Sequence, residues 1–171
     1  EMVADGLMER FGIQEIYGMH NWPGLPLGDF AIRPGAIMAG SDVFTIAVRG
    51  RGGHAAFPHR TVDPVMAASA IVMALQSVVA RTIDPLASAV VSVTSFRTAS
   101  DAFNVIPEEV ELRGTARSLD AAVQDIIEAR MRALVEATAS AYGAEGRLDY
   151  HRSYPVTVNT PAETSFAAGV A

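Results

Sequence analysis

The sequence predicts an α+β fold in which a four-stranded antiparallel sheet carries two helices on one face, in the ferredoxin-like order βαββαβ. Three observations predict it. Four segments alternate between apolar and polar side chains or are rich in β-branched residues, as half-buried strands are. Two longer segments have helical apolar spacing and begin at capping residues. Glycine and proline residues separate these segments.

Residues 1–38 precede this pattern and predict part of a second, α/β domain. Residues 2–10 have the apolar spacing of a helix that stops near Gly12. Glu15–Met19 predicts a short buried strand, and the stretch NWPGLPLG after it contains too much proline and glycine for regular structure. The chain begins with Glu1 and not with Met, so we expect further sequence upstream.

The first strand and helix of the βαββαβ unit come next. Val43–Arg49 alternates, which predicts that Phe44, Ile46 and Val48 share one buried face. Asp63, directly before a proline, predicts a helix start, because its carboxylate can cap the first turn and the proline ring is set for that turn. The residues available to the buried stripe of this helix include Met66, Ala70, Met73, Ala74 and Val78.

Two further strands are predicted at Ala89–Phe96, which is rich in β-branched residues, and at Glu109–Arg117, which alternates. The expected buried face of the second of these is formed by Val110, Leu112, Gly114 and Ala116.

A second helix and a last strand complete the unit. Ser118 or Asp120 caps the helix, which extends to Tyr142 and ends at Gly143. Its predicted apolar stripe consists of Val123, Ile126, Ile127, Leu134 and Val135. Gly146–His151 is the last strand. Since Thr160 and the proline after it predict another helix start, we expect residues 39–152 to form a domain inserted between residues 1–38 and a returning segment, residues 153–171.

The composition excludes several classes of function. A net charge of −6 and the absence of any Lys/Arg run argue against binding to nucleic acid or to an anionic membrane surface. The chain has no cysteine, so it contains neither a disulfide nor a thiolate metal site. The most apolar stretch, residues 62–80, is interrupted by polar residues, which predicts that it does not span a membrane. No signal peptide is recognisable, and we predict a cytoplasmic protein.

His20 follows the predicted strand at Glu15–Met19 and precedes the proline- and glycine-rich loop. The carboxyl end of a strand in an α/β sheet is where side chains meet ligands. A zinc site needs at least three protein donors. His20 is therefore either an ordinary loop residue or one ligand of a site that is completed outside this chain.

His54 lies in GRGGHAAFPH, between a strand and a helix. The three glycines around it predict a close backbone turn that presents the imidazole. His54 is either a surface residue of a glycine-rich loop or a donor directed from the inserted domain towards a substrate. His59 is a candidate for supporting the loop by hydrogen bonding.

Asn104 and Arg117 are the other candidates. Asn104, in DAFNVIP between two predicted strands, is either a turn residue or a functional one. Arg117, at the end of a strand on its polar face, is either a solvated sheet residue or a clamp for a carboxylate, which a guanidinium can bind with two parallel hydrogen bonds.

These motifs form a recognisable combination. YGMHNWPGLPLG, GRGGHAAFPHRTVDPV, NVIP and LRGTARS resemble, in this order, the amidohydrolase branch of metallopeptidase family twenty. That branch includes hippurate hydrolases, indole-acetyl-amino-acid hydrolases and N-acyl-amino-acid deacylases. The resemblance covers the whole chain and implies a ferredoxin-like lid and dimerisation domain inserted into a catalytic domain that is present only in part.

The resemblance also implies roles. His20 is expected to bind a metal of a two-metal centre, and His54, supplied by the lid of the partner subunit of a homodimer, to polarise the scissile carbonyl. Asn104 is expected to assist substrate binding and Arg117 to bind the substrate carboxylate, while no catalytic role is implied for His59. The implied reaction is hydrolysis of an N-acyl amino acid by metal-activated water.

Most of the implied centre lies outside this chain. The resemblance places the general-base Glu, a Glu metal ligand and a Cys-x-His pair upstream, and a last His ligand downstream. The two divalent ions are zinc, manganese, cobalt or nickel, and we expect the 171 residues alone to be inactive and to bind no metal stably. The alternatives are a free-standing ferredoxin-like module that dimerises or binds a small ligand, and a truncated pseudoenzyme.

Overall fold

The structure, a computed structural model, describes residues 2–171. The chain divides after Ala31 into two compact units. The described part of the first unit has one short helix, α1 (Leu7–Phe11), and no strand. The predicted strand at Glu15–Met19 is therefore wrong: Ile16 is exposed, and no strand of the described residues 2–171 includes this segment.

The second unit, residues 32–171, contains all strands of the described chain. In chain order its strands and α-helices are β1 (Gly35–Met38), β2 (Gly40–Arg49), β3 (Gly53–His54), α2 (Pro64–Thr82), β4 (Ala89–Thr98), β5 (Val105–Ile106), β6 (Glu109–Ser118), α3 (Ala121–Ala141), β7 (Glu145–Tyr154), β8 (Thr157–Asn159) and α4 (Pro161–Val170).

The main sheet has the strand order β4-β6-β2-β7, and every pair in it is antiparallel. Both α2 and α3 pack on its strands and on each other. This is the ferredoxin-like βαββαβ arrangement, as the sequence predicts. Outside the main sheet, β1 pairs with β8 and β3 pairs with β5.

The core lies between the sheet and the two helices. The predicted inward faces are confirmed: Ile46, Val110 and Leu112 are fully buried. Both helix stripes are partly wrong. Met66 and Met73 of α2 and Ile126 of α3 are exposed, and other residues fill the core. The buried residues of α2 are Pro64, Ala67, Ala68, Ile71, Leu75 and Val78, and those of α3 are Ile127, Met131, Val135 and Ala139.

Aspartates cap both long helices. Asp63 Oδ1 accepts a hydrogen bond from the Val65 N–H at 2.8 Å, and Asp120 Oδ1 accepts one from the Ala122 N–H at 2.6 Å. By length and composition α2 is apolar enough to cross a membrane. The prediction that polar residues within 62–80 rule out a membrane span therefore does not hold on composition alone. Five of the buried residues of α2 nevertheless pack in the core of the domain: Ala67, Ala68, Ile71, Leu75 and Val78.

Candidate functional site

The glycine-rich loop before His54 lies directly against the segment before β6. Gly50 donates to the Glu108 carbonyl at 2.9 Å, and a Cβ on Gly50 would stand 2.1 Å from the Val62 carbonyl oxygen. A Cβ on Gly52 would stand 2.7 Å from the Ile106 carbonyl oxygen. Since neither glycine has a positive φ, these positions need glycine for backbone contact, which is the close turn that the sequence predicts.

His54 and Asn104 are brought together by this contact. β3 and β5 pair His54 with Val105, and the Asn104 carbonyl accepts a hydrogen bond from the Ala55 N–H at 2.9 Å. The His54 ring is exposed and lies beside the ring of Phe57, with centroids 5.8 Å apart. We call this region, His54 and Asn104, the loop end of the domain.

The hydrogen bond of the His54 ring determines where a neutral imidazole holds its proton. His54 Nδ1 accepts from the Ala56 N–H at 3.1 Å, so the ring proton lies on Nε2. The outward nitrogen is therefore a hydrogen-bond donor. His59 packs edge-on against Phe57, with centroids 6.2 Å apart, and thereby supports the loop through ring packing.

Arg117 lies at the other end of the sheet. It is opposite Ser41 on the face without helices, which we call the open face. The base of the His54 loop meets Glu108, and Arg117 is eight residues beyond Glu109 along β6. At about 3.3 Å per residue, roughly 26 Å of strand separates Arg117 from that base. The structure thus does not bring Arg117 near the start of the loop.

Arg117 differs from its neighbour on the same face. Arg113 is held by both oxygens of Glu111, at 2.8 and 3.1 Å. No acidic side chain within residues 2–171 forms an ion pair with Arg117. Its positive charge is therefore available to an external anion.

Tyr154 accompanies Arg117 and was not predicted from the sequence. Tyr154, on β7, lies opposite Ser41 of β2. Hydrogen bonding of the Ser41 hydroxyl and the Arg117 guanidinium to its phenol lowers the pKa of Tyr154. We call the row formed by Ser41, Arg117 and Tyr154 the strand end.

A buried carboxylate lies under the strand end, on the helix side of the sheet. Asp42 is 2% exposed, and its carboxylate accepts hydrogen bonds from Gln124 Nε2 at 2.9 Å and from the Tyr150 hydroxyl at 2.6 Å. Burial, together with the bond to Asp42, raises the pKa of Tyr150. This cluster was not predicted from the sequence, although Asp42 is in phase with the buried Phe44 and a buried carboxylate needs partners.

His20, in the first unit, has the opposite ring arrangement from His54. Its Nδ1 lies 2.6 Å from the Asn21 carbonyl oxygen, which can only accept, so Nδ1 holds the proton and Nε2 keeps its lone pair. Histidines that bind a metal through one ring nitrogen usually donate a hydrogen bond from the other, as His20 does here. Within residues 2–171 no group of three or more acidic or histidine side chains could hold a metal. His20 thus fits one ligand of a larger set.

The chain is similar to known proteins in sequence and in structure. A family model described as a peptidase dimerisation domain (M20_dimer) matches residues 38–143. YhaA of Bacillus subtilis (strain 168), which has the name of an amidohydrolase, is 45% identical over 170 residues, covering 99% of this chain and 42% of YhaA. The hippurate hydrolase of Campylobacter jejuni is 38% identical over 170 residues, covering 99% of this chain and 44% of that enzyme.

Among solved structures, the YXEP protein of Bacillus subtilis, described as a dinuclear metal-binding peptidase from the M20 family, matches with a TM-score of 0.75 and 28% identity. The match covers 98% of this chain and 40% of YXEP. The chain therefore spans about two fifths of the length of the relatives that it matches.

Proposed function

The chain belongs to the M20 peptidase family, and we propose that it is the central part of a metal-dependent amidohydrolase that cleaves N-acyl amino acids. The observation that carries the proposal is the separation of two complementary groups on one domain. Arg117, without a carboxylate partner within residues 2–171, suits the free carboxylate of the substrate, and the Nε2–H of His54 suits the oxygen of its amide.

Residues 39–152 form the lid and dimerisation domain in this proposal, and residues 1–38 and 153–171 belong to the catalytic domain. The pairing of β1 with β8 supports it, because these two strands bring the chain into and out of the main sheet side by side. An inserted domain needs such adjacent connections. We expect the cytoplasm as the location of the whole protein.

Arg117 binds the substrate carboxylate through a two-pronged ion pair, which is stronger than an ordinary hydrogen bond. Asn104 contacts the substrate from the loop end. His54 donates from Nε2 to the carbonyl oxygen as negative charge develops there, and a fixed donor of this kind typically contributes about 10²–10³ in rate.

The roughly 26 Å of strand between Arg117 and the base of the His54 loop is much longer than an N-acyl amino acid. One substrate therefore contacts Arg117 of its own subunit and His54 of a second copy. A homodimer follows from this requirement, since His54 acts only when a partner holds it over the site.

The β4 edge of the sheet is the surface best suited to this dimer. β4 pairs with β6 on one side only, and α2 beside it exposes Met66 and Met73. The opposite edge, formed by β7 and α3, is instead charged, and Arg152 forms ion pairs there with Asp125 and Glu128. Apolar side chains beside unpaired strand groups favour association between copies.

His20 is the one metal ligand that this chain contributes, through Nε2. When bound, the two divalent ions lower the pKa of a water molecule so that it becomes a nucleophile. The ions are zinc, manganese, cobalt or nickel. The 171 residues alone should be inactive and hold no metal stably, because a single nitrogen donor is insufficient.

Subunit complementation tests the proposal. Whole-protein variants His54→Ala and Arg117→Ala are co-expressed with different tags, and hybrid dimers are isolated through both tags. A hybrid has one intact site, with Arg117 from the first variant and His54 from the second. Its kcat/KM, measured at substrate concentrations well below KM, should therefore reach about half that of the unaltered dimer. Homodimers of each variant are the controls. A hybrid no more active than these controls would show that both residues serve the same subunit or that neither acts as proposed.

A further inference from the structure

Three side chains form a row across the open face at the strand end. Ser41 on β2 lies opposite Arg117 on β6 and, on its other side, opposite Tyr154 on β7. Directly paired side chains in an antiparallel sheet stand next to each other. Ser41 is only 7% exposed although it lies on the face without helices. Arg117 and Tyr154 thus flank one small, covered residue.

A β-bulge turns Tyr154 onto this face. Asp42 pairs with Arg152 while Ser41 pairs with Tyr154, so Ser153 is an extra residue in β7. If the same sequence formed a regular strand without the bulge, Tyr154 would continue the alternation of Leu148 and Tyr150 and point to the helix side. A bulge interrupts the regular ladder of hydrogen bonds and redirects a side chain, and bulges are frequent beside functional sites.

The partner of Arg117 is therefore a phenol rather than a carboxylate. Ser41 and Arg117 both lower the pKa of the Tyr154 phenol through hydrogen bonding. A neutral hydroxyl can accept a hydrogen bond from a guanidinium and leave its positive charge uncompensated. Arg113, held by Glu111 two residues away on the same face, shows the contrasting case in which the charge is neutralised.

We propose that Tyr154 is a positioning residue that holds the guanidinium of Arg117 over the open face, in the orientation that binds the carboxylate of the substrate. The proposal rests on the proposed function, in which Arg117 binds that carboxylate. Its geometric basis is the cross-strand row and the bulge at Ser153.

The test measures how the whole protein discriminates between the N-acyl amino acid that it cleaves best and the carboxamide analogue of that substrate. In Tyr154→Phe the ratio of the two kcat/KM values should fall about fivefold to tenfold, the loss expected for one ordinary hydrogen bond. The fall should come from a higher KM for the carboxylate substrate, with kcat unchanged. In an Arg117→Ala background, Tyr154→Phe should cause no further fall. Tyr142→Phe, at an exposed position after α3, is the matched control.

Each other outcome identifies which proposal fails. An unchanged ratio in Tyr154→Phe, together with a lost ratio in Arg117→Ala, would overturn the positioning role and leave the role of Arg117 intact. Equal losses for both substrates would make Tyr154 a merely structural residue. An unchanged ratio in Arg117→Ala would remove Arg117 from the proposed function, and the positioning role with it.

Discussion

The loop end and the strand end of the same sheet place functional groups by different physical means. At the loop end His54 and Asn104 depend on backbone contacts between two short segments, for which Gly50 and Gly52 leave space. At the strand end the functional side chain, Arg117, stands on a regular strand and is set by pairing across three strands. The difference teaches that one small domain can present a hydrogen-bond donor and an anion-binding group at opposite ends of a single sheet.

The largest effect is expected at the loop end. In the whole protein, His54→Ala should lower kcat by about 10²–10³, because a hydrogen-bond donor to the developing oxyanion is lost. Metal content, measured by elemental analysis, should stay unchanged, since His54 is not a metal ligand in the proposed mechanism. His59→Ala on the same loop should have a much smaller effect. Wild-type turnover in His54→Ala would remove this residue from the mechanism.

A smaller effect, on KM, is expected at the strand end. Arg117→Ala should raise the KM for an N-acyl amino acid about 10-fold to 100-fold, the cost of losing a charge-assisted contact, and leave kcat nearly unchanged. Arg113→Ala is the matched control, because this arginine lies on the same strand and face but is already paired with Glu111. Equal KM changes in the two variants would indicate a general loss of positive charge and not a specific clamp.

The hydrogen bond between Tyr150 and buried Asp42, beneath the strand end, should stabilise the fold. Tyr150→Phe removes the hydrogen bond to buried Asp42 and should lower the free energy of unfolding of the chain by about 2 kcal/mol in urea titrations. Tyr142→Phe, on the surface, is the control.

The raised pKa of Tyr150 adds a pH dependence. The folded chain keeps this proton where an unfolded tyrosine, with a pKa of about 10, loses it. The stabilisation is fully present below about pH 10 and is lost as pH rises through the folded pKa. Tyr150→Phe should lack this alkaline loss, and an identical pH profile in the two proteins would contradict the assignment.

Most of the main sheet could be predicted because β2 and β6 alternate without interruption, so the buried faces followed from the period of two. The buried face of α2 could not, because the helix is apolar on several sides and spacing alone does not select Ile71 over Met73. A buried strand at Glu15–Met19 was predicted from apolar content, but a strand also needs a neighbour to pair with.

The residues of the candidate site likewise include some that the sequence predicts and one that it does not. His20, His54, Asn104 and Arg117 were proposed from local motifs, which the sequence displays directly. Tyr154 has no motif, and the extra Ser153 shifts the alternation of β7, so a regular strand pattern would assign it to the wrong face. Long-range pairing of this kind is not encoded in any single segment.

The pairing of β1 with β8 makes the intervening domain a separable cassette. Met38 and Thr157 face each other as the innermost pair of this two-stranded sheet. If residues 39–156 were replaced by a two-residue turn such as Asn-Gly, the remaining strands would already have the register of a β-hairpin. The whole lid could thus be removed, or exchanged with that of a relative, by joining the chain at Met38 and Thr157.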